Sequence, residues 1–78
     1  MATTRMTTKF DNGDDVELTD NLSVQRYGFR AGSVCGMRVL DGVQAILLGL
    51  EEGTQLILVE SSDGKAVEIP SMLLRRKA

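Results

Sequence analysis

The chain contains no histidine and no tryptophan, one cysteine, one proline and three aromatic residues, Phe10, Tyr27 and Phe29. Without histidine, a serine or cysteine nucleophile has no imidazole base to take its proton. A single cysteine permits no intramolecular disulfide and, with histidine absent, excludes most zinc sites. No apolar run approaches the ~20 residues of a membrane helix. No charged segment followed by an apolar one opens the sequence, so nothing marks it for secretion. The expectation is an intracellular, cytoplasmic protein that does not enter a membrane, is not an enzyme, and carries neither cofactor nor metal.

What is present fits one small domain. The chain has 78 residues, 42% hydrophobic and 26% charged, with a formal net charge of −2. Those values are ordinary for a globular chain and leave a core of marginal size. Residues 1–9 are mostly Thr, Ala and Met with two basic side chains, Arg5 and Lys9. They read as a flexible terminus before a domain spanning 10–78, with a mitochondrial transit peptide as the minority alternative.

From Phe10 onward the pattern is that of strands and turns. Asp11-Asn12-Gly13-Asp14 is a hairpin turn signal, and Val16 and Leu18 alternate with polar neighbours. An N-terminal hairpin over residues 6 to 19 is therefore expected. Loops are expected at 20–23 and 27–33. Apolar runs flank Asp41-Gly42, predicting a hairpin of 37–40 with 43–50. A helix over Val43–Glu52 competes with it but contains Gly49. Further strands are predicted at 55–60 and 66–69, then Pro70, one helical turn at 71–74 and a short basic strand or tail at 75–77. Turns recur about every ten residues, the rhythm of an all-β meander or barrel.

The predicted strands 43–50 and 55–60 are apolar on both faces. Their outer face needs a cover, either the N-terminal hairpin packing Phe10, Val16 and Leu18 across it or a second copy of the chain in a homodimer.

The order of these strands and turns from Gly32 to Lys77 resembles the SH3-like small β-barrel superfamily. Gly36-Met37-Arg38-Val39-Leu40-Asp41-Gly42 with the following apolar run is similar to its KOW-type members. Those carry further glycines and basic residues between their first two strands, where this chain has Asp41-Gly42. The resemblance implies a five-stranded barrel.

Among individual residues, Arg26, Tyr27, Phe29 and Arg30 interleave arginine with aromatics around Gly28. That chemistry suits a cation–π contact with a peptide or stacking on bases. With Arg38 they form the candidate binding site. Tyr27 and Phe29 have a structural reading too, as plugs for one end of the barrel. The expected function is a protein-interaction or assembly module. The alternative is an RNA- or nucleic-acid-binding barrel that adds Arg75, Arg76 and Lys77. Charge speaks for the first. Residues 1–20 hold two basic and five acidic side chains, 21–50 three and one, and 51–78 four and five. No segment has the basic footprint of most nucleic-acid binders. Cys35 is expected to be a small buried hydrophobe, and the Asp11–Glu17 acidic group a solvated turn.

Overall fold

A computed structural model describes residues 10–77. The expectations for 1–9, including the first half of the N-terminal hairpin, lie outside these residues. In chain order the elements are β1 (Asp15–Leu18), α1 (Asn21–Tyr27), β2 (Ala31–Val39), α2 (Gly42–Leu48), β3 (Gln55–Ser61), β4 (Ala66–Pro70), a 3₁₀ turn (Ser71–Leu73) and β5 (Leu74–Arg76). The strands pair antiparallel in one sheet ordered β4-β3-β2-β1-β5. Its two edges are consecutive in the chain and are joined through the 3₁₀ turn. The protein is thus mostly β, as expected, with two short helices.

Strands formed where residues alternate. In β1, Val16 and Leu18 are buried while Glu17 between them is half-buried. β3 is buried on both faces: register sets Ile57 and Val59 opposite Met37 and Val34, and Leu56 opposite Arg38. The hairpin turn at 61–64 and the end of β4 at Pro70 also match expectation. Asp11–Asp14 does form a turn, closed by the Asp14 amide donating to the Asp11 carbonyl at 3.0 Å. Beyond it, β1 pairs with β2 on one side and β5 on the other.

The helices correct the sequence reading twice. Residues 43–50, expected as a strand, contain α2 instead, and β2 pairs with β3. The break expected at 20–23 and the start of the loop expected at 27–33 fall in α1, and residues 31–33 of that loop begin β2. Both helices have the same frame: seven residues between an aspartate and a glycine. Asp20 accepts from the Ser23 amide at 2.7 Å, and Asp41 from the Gln44 amide at 2.8 Å. Each bond satisfies one of the unpaired amides at a helix start. Gly28 and Gly49 end the helices in the left-handed region, where a glycine pays no Cβ penalty. Gly49, read as a helix breaker, is a helix terminator.

Two cores result. The larger joins Phe10, Val16, Leu18, Val34, Ile57, Val59, Ile69 and Leu74, with α1 packing Val24 and Tyr27 against it. The smaller lies under α2 and joins Leu40, Ala45 and Leu56, with Leu50 beside them. On the other face of β3, Leu56 is covered by Ala45 of α2. Phe10, Val16 and Leu18, expected to form that cover, belong to the main core.

Candidate interaction groove

The two helix ends and the end of β4 enclose a groove of about 400 Å³. Arg26 and Tyr27 enter it from the last turn of α1, Arg38 from β2, and Leu48 and Leu50 from the end of α2. Leu56, Glu68, Pro70, Met72 and Leu73 complete the lining. The groove exists because the glycine caps stop α1 and α2 at its rim.

Of the five candidate residues named from sequence, the structure brings three together here: Arg26, Tyr27 and Arg38. Tyr27 has two roles, packing against the main core while lining the groove. Phe29 is partly buried against that same core. Arg30 turns aside and donates to the Asn21 side chain at 3.3 Å. Six apolar residues of the lining (Leu48, Leu50, Leu56, Pro70, Met72, Leu73) were not foreseen. They come from four segments, which no local pattern could have joined.

Arg38 and Glu68, two of the groove's polar side chains, engage each other. Arg38 grips Glu68 with two bonds, Nε to Oε2 at 2.5 Å and Nη2 to Oε1 at 2.9 Å. Its Nη1 donates to Gln44 Oε1 at 3.1 Å, tying β2 to α2. The hydrogen-bonded guanidinium holds the Glu68 carboxyl below the usual glutamate range, and Glu68 raises Arg38 further in return. With side chains 44% and 39% exposed, this pair is a surface clamp that fixes geometry more than it stabilises. The Arg26 guanidinium lies 5.6 Å from the Tyr27 ring centroid, within cation–π range.

The basic C-terminus is likewise matched by acids. Arg75 bonds Glu17 at 2.8 Å and Arg76 bonds Asp14 at 3.2 Å. The amide of Asp11 and, secondarily, Arg76 keep the Asp14 carboxyl below its usual range. The acidic group is therefore a partner for β5 as well as a turn. Cys35 differs from expectation. It is exposed at a bulge between Val34 and Gly36, its thiol donating to the Leu58 carbonyl at 3.4 Å.

A larger hollow of about 570 Å³ lies by Asp15, Ser33, Glu60, Ser61 and Lys77, but no apolar side chain larger than alanine lines it. Ser33 is held there by Asp15 and Ser61 by Asp63. It offers nothing to an apolar segment. The groove does, and beside it α2 turns Val43, Ile46 and Leu47 outward at 71%, 81% and 79% exposure. Among the described residues, no helix is long and apolar enough to cross a membrane. Compared with known proteins, the chain matches no family model, no curated protein and no solved structure.

Proposed function

We propose that the chain is a non-enzymatic protein-interaction module of SH3-like barrel type, whose groove receives an apolar segment of a partner. The strand order β4-β3-β2-β1-β5, with a 3₁₀ turn between the edge strands, supports the barrel part of this reading. The observation that carries the functional part is the groove itself. Leu48, Leu50, Leu56, Pro70 and Met72 line it together with Tyr27. Apolar lining with a few fixed polar groups is what a binding site for a side chain or short segment requires. Glu68, the carboxylate in the lining, is committed to Arg38 and is poorly placed to act as a general base.

Nucleic-acid binding is less well supported. Arg38, Arg75 and Arg76 each pair with a carboxylate, which weakens the cationic field that phosphate recognition needs.

Selection of random displayed peptides on the immobilised protein tests the reading. Selected peptides should be apolar, should shift the amides of Tyr27, Leu48 and Met72, and should be lost with Met72→Lys. Peptides that bind elsewhere would refute it. So would salt-sensitive shifts at Arg26 and Arg38 on adding single-stranded RNA, with no apolar peptide selected.

A further inference from the structure

Taking the groove to be a protein-binding site, we infer that its occupant is a second copy of this chain, with the α2 ridge of each copy seated in the groove of the other. The ridge is Val43, Ile46 and Leu47, spaced i, i+3, i+4 and hence on one helical face. Helices of a soluble domain normally turn that face inward; α2 buries Ala45 and presents the ridge to water.

Three further observations select a copy of the same chain. Ridge and groove adjoin on one surface. Leu47 and Leu48 line one small hollow, Leu48 and Met72 the groove, and Met72 and Val39 a third depression. A two-fold axis between ridge and groove then satisfies both at once and closes the assembly.

Size agrees as well. Val39, Val43, Ile46, Leu47, Leu48 and Met72, at 53–81% exposure, leave on the order of 700 Å² of apolar surface in water, against the ~800 Å² per partner of a standard interface. A lone monomer rarely exposes so large a contiguous patch.

Charge agrees too. Arg26, at the groove end, forms no ion pair among the described residues, and neither do exposed Glu51 and Glu52 beyond the far end of α2. In the inferred dimer, Arg26 of one copy would face Glu51 and Glu52 of the other.

Sedimentation velocity on the intact chain from micromolar to millimolar concentration gives the first test. The expected mass is twice 8.5 kDa, and Ile46→Asp or Leu47→Asp should return it to the monomer with amide dispersion unchanged. Arg26→Glu and the double variant Glu51→Arg/Glu52→Arg should each weaken self-association about tenfold, because each opposes like charges. Mixed together, these two variants should form a heterodimer, since every facing pair is then opposite in sign. A wild-type chain that stays monomeric, a dimer indifferent to Ile46→Asp, or charge variants that fail to combine would overturn the inference. Peptide selection on a monomeric chain separates the two readings: selected apolar peptides in the groove would leave the groove reading standing without the second copy.

Discussion

Gly32 shows how one residue can hold the sheet together. A Cβ built at this position would lie 2.5 Å from the Glu60 carbonyl oxygen and 2.7 Å from Val59 Cγ1. The backbone of β2 approaches β3 so closely that no side chain fits. Gly32→Ala should destabilise the fold by about 1–3 kcal/mol, the range of an overpacked core, measured by urea unfolding. Gly36 is different, since its added Cβ would meet Leu58 at an ordinary 3.6 Å, and Gly36→Ala should be nearly neutral. At Glu68 the folded carboxyl is held low by Arg38. The stabilisation this adds is present at neutral pH and is lost as pH falls through the folded value. In Arg38→Gln, the Glu68 carboxyl followed by ¹³C NMR should titrate at higher pH than in the wild type. No change would mean that the clamp is loose in solution.

Elements differ in how openly the sequence declared them. β1, β3 and β4 were legible because an alternating or doubly apolar run bounded by turns has few other readings. The helices were not. Seven residues make barely two turns, too few for a helical period to stand out, and the apolar face of α2 points outward, so its sequence imitates a buried strand. The legible signal was at the ends, where Asp41 and Gly49 bracket α2 as Asp20 and Gly28 bracket α1. Asp41→Ala should cost about 1 kcal/mol, as loss of an N-cap generally does. Since α2 covers Leu56 through Ala45, hydrogen exchange should quicken at 42–50 before it does in β3. The site was half legible for a related reason. Arg26, Tyr27 and Arg38 were singled out by composition, whereas Leu48, Pro70 and Met72 join them only once the chain has folded.

At the scale of the whole molecule, stability and the proposed function rest largely on different residues, with Tyr27 and Leu73 common to both. The sheet and its main core carry the first. The acidic turn and the basic C-terminal strand hold one edge through Asp14–Arg76 and Glu17–Arg75, and charged edge strands resist unwanted pairing. The second is proposed for α2, the groove and Met72, which leave apolar side chains in water. Reversing the ridge with Leu47→Asp should therefore leave the unfolding midpoint of the isolated monomer nearly unchanged, because Leu47 is 79% exposed and surface changes of this kind stay within about 0.5 kcal/mol. A large loss of stability would mean that Leu47 supports the fold. The most direct measurement is a dilution series of ¹⁵N–¹H spectra on the intact chain. The account predicts concentration-dependent shifts confined to residues 26–27, 38–52, 56, 68 and 70–73, with β1, β5 and the 61–64 turn silent. Spectra that do not change on dilution, or shifts centred on the β1–β5 edge, would contradict it.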